Sequence, residues 1–273
     1  MRLPAAPLAL LLTVAAVALG GTAYAASAPS PAPAAAGLAA HKALYTLTLF
    51  KSKGDVVAAR GTMGYEVTDA CDGWAVRQRL KMTITNSEGQ DIVMTSDYAT
   101  WEAKNGLKFR FHVRQTTDEA VTSQTDGNAS LTKLGGAGEA RYTAPRVDTV
   151  ALPPGTMFPM MHTAAIIAAA KEKKRFLALP LFDGTDDKGV EDSFVVILDW
   201  NGPSPTKWPA LSALPSTRVH LSFFDHAPTA ITPAYEVGMR YWENGVADNM
   251  KMDFGDFVMD AKMTEFSQQP HRC

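Results

Sequence analysis

The chain has 273 residues, 46% of them hydrophobic and 20% charged, with 26 Lys+Arg against 28 Asp+Glu. A formal net charge of −2 supplies no basic field to gather a polyanion, which sets nucleic-acid partners aside, and the apolar content is too high for a disordered chain. Two cysteines exclude a disulfide-dense scaffold and any four-cysteine zinc site.

Arg2 gives a short positive flank, Leu8 to Leu19 form an uncharged apolar run, and Ala23-Tyr24-Ala25 offers a small-x-small cleavage pattern. Residues 1–25 therefore read as a secretory signal removed before Ala26, with an uncleaved anchor as the rival, because Pro4 to Ala26 just reaches bilayer length. After signal cleavage no stretch is apolar enough to span a membrane by helix. Residues 26–40 hold three prolines among Ala and Ser and read as a tether, leaving a single domain over 41–273.

From Ala43 to Val150 polar and apolar residues alternate with β-branched and aromatic enrichment, as in Leu44–Phe50, Trp74–Ile84 and Leu107–Val113, which predicts strands with one wet face. Reversals are expected at Lys53-Gly54-Asp55, Asp72-Gly73, Ser87-Glu88-Gly89, Asn105-Gly106, Asp126-Gly127-Asn128 and Gly135-Gly136. Such short spacings favour antiparallel neighbours. Phe158 to Ala170 predicts a helix, with Pro159 in its first turn and the cationic run Lys171–Arg175 at its end, and its middle is apolar all round, so it belongs inside. Strands resume at Phe176–Phe182, Ser193–Trp200, Arg218–Phe224, Ile231–Glu243, Val246–Phe254 and Gly255–Glu265, with tight turns at Asn244-Gly245 and Phe254-Gly255-Asp256. The expectation is a mainly β, single-domain antiparallel spiral or open barrel of about a dozen strands around one long apolar helix.

Export carries the thiols into an oxidising compartment, where Cys71 and Cys273 have one intramolecular pairing available. That bridge closes a loop of about 200 residues, for which chain entropy gives roughly 5 kcal/mol as an upper figure. The rival, a redox or nucleophilic thiol, lacks a CxxC partner. Histidines 41, 112, 162, 220, 226 and 271 are dispersed without an HxxxH pair, and there is neither a GxSxG nor a phosphate-binding glycine loop. A serine or aspartate bonded to His220 or His226 inside a pocket is the arrangement that would point to hydrolysis. Ser204-Pro205-Thr206-Lys207 matches SxxK but sits among prolines and reads as a loop. Asp183–Asp192 is the one acidic cluster; Lys188 stands where a calcium loop needs its glycine, so a solvated hairpin tip is expected. No catalytic, cofactor-binding or metal-binding residue is expected. The twelve methionines, including Met160, Met161, Met250, Met252, Met259 and Met263, suit an adaptable groove as well as a core.

Several stretches together resemble the DUF1849 or EipB-like family of exported α-proteobacterial envelope proteins. They are Thr68-Asp69-Ala70-Cys71-Asp72-Gly73-Trp74 with Arg77-Gln78, Leu152–Pro159 with His162-Thr163, Phe182–Asp187, and Tyr241–Val246 through Asp253–Phe257 to Cys273. The resemblance implies a periplasmic protein of a Gram-negative cell, a β-spiral with the Cys71–Cys273 disulfide, and a contribution to envelope integrity under stress without an assigned catalytic residue. Asp72 and Gly73 then shape the turn beside the bridge, Trp74 packs near the sulfurs, and Gly245 and Gly255 permit tight reversals. An unidentified envelope protein or lipid is the implied partner, with a lipid or lipoprotein carrier, or less favourably an envelope hydrolase, as alternatives.

Overall fold

Period-two alternation is visible directly in the burial of the strands. In β1 (His41–Ser52), His41, Ala43, Tyr45 and Leu47 point inward while Lys42, Thr46 and Thr48 are exposed or half-exposed on the other face. A computed structural model describes residues 37–227 and 229–270 of the chain. After β1 come β2 (Val56–Asp69), β3 (Gly73–Asn86), β4 (Asp91–Ala103), β5 (Lys108–Thr117), β6 (Ala120–Leu131), β7 (Gly138–Ala144) and β8 (Asp148–Leu152). The helix α1 (Pro159–Lys171) leads to β9 (Phe176–Leu181), β10 (Glu191–Ile197), the short α2 (Pro209–Ser212), β11 (Ser216–Asp225), β12 (Tyr235–Trp242), β13 (Ala247–Asp253) and β14 (Phe257–Gln268).

The fourteen strands among the described residues form one antiparallel sheet in the order β8-β7-β6-β5-β4-β3-β2-β1-β14-β13-β12-β11-β10-β9. Each strand pairs with its sequence neighbour except β8 and β9, which α1 separates and which form the two edges. The two ends of the described chain meet in the middle, where β1 pairs with β14 from His41↔Gln268 to Ser52↔Phe257. The mainly β, antiparallel expectation therefore stands.

The expected long central helix does not. α1 has 13 residues and α2 has four. The apolar run ends at Ala170, and Lys173 takes a left-handed φ of 59°, so the helix cannot extend into the cationic segment. α1 does lie in the core, burying Met160, Met161, His162, Ala164, Ile166, Ile167, Ala169 and Ala170. It fills only part of the interior, however: the inner faces of β5 to β8 pack on Phe158 and Phe182, which lie outside the helix proper. A second difference concerns Asp126-Gly127-Asn128, expected as a turn but placed inside β6. A Cβ at Gly127 would collide with the Arg141 carbonyl and Phe111, so this glycine serves close strand approach and a bulge rather than reversal. The actual reversal between β5 and β6 is at Asp118 and Glu119, both at positive φ (48° and 69°).

The segment between β9 and β10 is not a solvated tip either. Phe182 is fully buried against Phe109, Phe111, Tyr142 and Phe158. Thr125 Oγ1 donates to the Gly184 carbonyl (2.6 Å) and Tyr98 Oη to the Asp183 carbonyl (3.1 Å). Gly184, at φ 75°, abuts Phe111 so closely that no side chain fits. The loop thus crosses from one edge of the sheet onto the inner face of β4, β5 and β6.

A candidate binding cavity inside the sheet

The inner face carries polar groups that strand register brings side by side. Tyr65 on β2 pairs with Gln78 on β3, and Gln78 with Tyr98 on β4. Tyr235 and Tyr241 of β12 and Met250 and Met252 of β13 join them around α1. Between them lies a cavity of two adjoining lobes, about 200 Å³ and 310 Å³, which share walls of Met63, Tyr65, Gln78, Met160, Thr163 and Tyr241. The smaller lobe ends at His41, Leu38 and Asn244; the larger ends at Asp183, Thr185 and Phe223. Of the methionines singled out in the sequence, Met160, Met250 and Met252 line the cavity, whereas Met161, Met259 and Met263 are core.

Electrostatically the cavity is close to neutral. Among the described residues no Lys or Arg lines it, and Asp183 is the one carboxyl that does. Burial raises the Asp183 carboxyl above the ordinary range, opposed by hydrogen bonds from the Thr185 backbone (2.9 Å) and hydroxyl (2.7 Å). Burial likewise raises the hydroxyls of Tyr65, Tyr98, Tyr235 and Tyr241, which stay protonated. Burial lowers His41, leaving its imidazole neutral. Such a lining accommodates an uncharged, partly polar molecule.

Two buried polar devices hold α1 against this cavity. Glu102 on β4, 1% exposed, accepts the Met160 N–H (2.7 Å) on Oε2 and the Met161 N–H (2.9 Å) on Oε1, satisfying two orphan donors of the helix start. Burial pushes its carboxyl up to about 8 against the pull of those donors. His162 Nε2 lies 2.7 Å from Ser193 Oγ on β10, and that hydroxyl donates its only proton to the Leu179 carbonyl (2.8 Å). Ser193 therefore accepts from the imidazole, the reverse of a serine activated by a base. Burial lowers His162 to about 4.

His112, His220 and His226 are exposed on the outer surface. Ser222 Oγ donates to Glu236 Oε1 (2.6 Å), which His220 Nε2 also contacts (3.1 Å), and His226 Nδ1 meets Asp192 Oδ2 (2.9 Å). None of these groups lines the cavity. Ser204–Lys207 carries no helix. Among the described residues no group of three or more His, Cys, Asp or Glu side chains is arranged to hold a metal. In the acidic loop, burial and then Asp183, Asp186 and Asp225 push Glu191 up to about 8, while Asp187 pairs with Arg146 (2.9 Å) and Lys188 with Asp225 (3.3 Å).

The motif residues cluster at one end of the sheet and at two hairpins. Cys71 stands at φ 69° in the β2–β3 turn, its N–H donated to Asp69 Oδ1 (2.9 Å), which also pairs with Lys104 (2.6 Å). Asp72 is exposed in that turn, and a Cβ on Gly73 would strike Trp101. Trp74, 3% exposed, packs with Leu38, Val67 and Met160, with Lys104 Nζ 5.0 Å from the ring centroid. Gly245 and Gly255 take φ of 84° and 87°, which side chains rarely adopt. Cys273, and the expected signal at 1–25, lie outside the described residues.

In the sequence the methionines point to a groove, but not to its polar wall of Tyr65, Gln78 and Tyr98 or to the place of His41. The available signal was the polar inward set Gln78, Ser96, Tyr98 and Thr100, which interrupts otherwise apolar inner faces.

A family model described as EipB-like matches residues 32–270. The chain is 27% identical over 276 residues to the cell envelope integrity protein EipB of Brucella abortus (strain 2308), covering 92% of this chain and 93% of that protein. It is also similar to the crystal structure of a beta-barrel-like protein of the domain of unknown function DUF1849 from Brucella abortus, at 26% identity and a TM-score of 0.77, over 85% of this chain and 99% of that one.

Proposed function

The chain belongs to the EipB-like family, and on that premise we propose that it is a non-enzymatic periplasmic protein that maintains the cell envelope by holding an envelope lipid or protein segment in the cavity inside its sheet. The observation that carries this reading is the cavity: apolar and tyrosine-lined, without Lys or Arg among the described residues that line it, and walled on one side by α1. The Ser193 proton committed to a backbone carbonyl supports binding over hydrolysis. A carrier role for lipid or lipoprotein is the narrower form of the same reading.

Residues 1–25 direct export in this reading, and Cys71 joins Cys273 after export. Gln268 and Gln269 line a surface hollow together with Asp69 and Trp74, and the Gln269 N–H bonds the Ala40 carbonyl (2.8 Å). Four further residues reach at most about 13 Å, and the hollow from which they start is shared with Asp69, two residues before Cys71.

Deleting the gene should sensitise cells to detergents that stress the envelope, with rescue by the full chain and none by a chain lacking 1–25. Delipidated protein exposed to envelope extracts should retain a lipid or partner detectable by mass spectrometry. Normal detergent resistance of the deletion strain would sink the envelope role. Peptide maps that are the same with and without reductant would remove the disulfide.

A further inference from the structure

We propose that the cavity takes a single-chain, uncharged amphiphile whose head carries a hydroxyl, and that this hydroxyl donates to Nε2 of His41. The inference rests on the envelope-binding reading and names its ligand class. His41 is 2% exposed and lines the smaller lobe. Its Nδ1 lies 2.8 Å from the Ala39 carbonyl, and a carbonyl only accepts, so the ring proton sits on Nδ1. Nε2 of the neutral ring is then a bare lone pair without a hydrogen-bond partner among the described residues and with almost no accessible surface, so a donor entering the smaller lobe that His41 lines reaches it only as the wall side chains give way. Tyr65 and Phe266 pack near the ring at centroid distances of 5.8 Å and 6.1 Å, and the Nδ1 contact to Ala39 orients it. A buried acceptor left open in this way calls for a donor from a ligand.

Charge decides what kind of head can supply that donor. With no Lys or Arg among the described residues of either lobe, a carboxylate or phosphate head would be buried there without a described cation to compensate it. An ammonium head beside His41 fares no better, because Asp183, the only lining carboxyl among the described residues, belongs to the other lobe. A hydroxyl donates without carrying charge. Behind it the walls shared by the lobes include Met63, Met160, Met239 and Met250, whose unbranched thioethers conform to an alkyl chain. Lobes of about 200 Å³ and 310 Å³ fall at the small end of ligand pockets, which suits one chain rather than two.

Three probes with the same oleyl chain separate the possibilities: monoolein, oleate at pH 8, and methyl oleate, which has no donor. Delipidated, export-processed protein should bind monoolein one to one by native mass spectrometry. Calorimetry should show monoolein binding at least tenfold tighter than either companion. His41→Leu should lower monoolein to the methyl oleate level and leave methyl oleate unchanged. Met239→Trp, which fills the shared wall, should abolish both, with circular dichroism confirming that the strands persist. The probe comparison on the unmutated protein stands even if a variant fails to fold. Oleate binding as tightly as monoolein, equal affinities for monoolein and methyl oleate, or no monoolein binding would each overturn the assignment. If monoolein fails while the same preparation retains a charged lipid from envelope extracts, the ligand class is wrong and the envelope-binding reading survives. If it retains nothing, both fall.

Discussion

One sheet encloses two unlike interiors. Under β5 to β8 the space is filled by rings: Phe109 stacks on Phe158 at 5.0 Å, and Phe182 meets Phe109, Phe111, Tyr142 and Phe158 edge-on. Under β2, β12 and β13 it is lined by methionines and tyrosines and left partly empty. The first half is organised like the core of a small globular protein, with aromatic pairs in preferred geometries. The second half combines thioethers, which adapt, with hydroxyls, which demand partners. The contrast assigns stability to one region and, on the proposed reading, binding to the other.

Truncating a ring should therefore cost far more than changing a cavity wall. Phe182→Ala is expected to lose about 3–5 kcal/mol in urea unfolding, because a fully buried ring leaves neighbours that cannot collapse. Equal costs for Phe182→Ala and Met250→Leu would erase the distinction between the two interiors. Gly184→Ala strikes the same aromatic half through the backbone, since its φ of 75° and contact with Phe111 leave no room for a methyl; about 1–3 kcal/mol is expected. Glu102→Ala sits at the seam, where it strands two N–H donors of α1. About 1–3 kcal/mol should be lost, with hydrogen exchange accelerated first at Met160 and Met161.

The two interiors also differ in how legible they were in the sequence. Strands such as Lys108–Thr117 announce themselves because Phe109, Phe111 and Val113 alternate with Lys108, Arg110 and His112. Asp126-Gly127-Asn128 misled because turn chemistry and close strand approach both select glycine, and only the partner strand tells them apart. The loop after Phe182 looked solvated because its aspartates dominate the sequence, while Phe182 and Gly184 determine where it packs. The cavity was harder still. Tyr65, Gln78 and Tyr98 are separated along the chain and become neighbours only through register, and His41 reads as an ordinary strand-initial residue until Ala39 fixes its tautomer.

A titration sharpens the comparison further, because the ionisable groups that bind α1 to the sheet respond oppositely to pH. Glu102 sits at about 8 in the folded chain against an ordinary 4.5, so between those values the unfolded chain has released a proton that the folded chain keeps, and stability falls as pH rises. Glu191, also at about 8, acts in the same direction. His162, at about 4 against 6.5, does the opposite: the unfolded chain holds the extra proton across that interval, so stability rises with pH there. Below pH 6.5 the effects oppose each other; between 6.5 and 8 the carboxyls act without that opposition. Unfolding free energy should decline over that upper interval, by at most about 1.4 kcal/mol per pH unit for Glu102 alone. Glu102→Gln should flatten the decline even though it weakens the helix start. An unchanged slope in that variant would mean that Glu102 is ionised in the fold, held by its two backbone donors more strongly than burial opposes it. Met250→Leu should leave the slope untouched and shift stability by less than about 1.5 kcal/mol, since that wall side chain faces a cavity rather than a filled core.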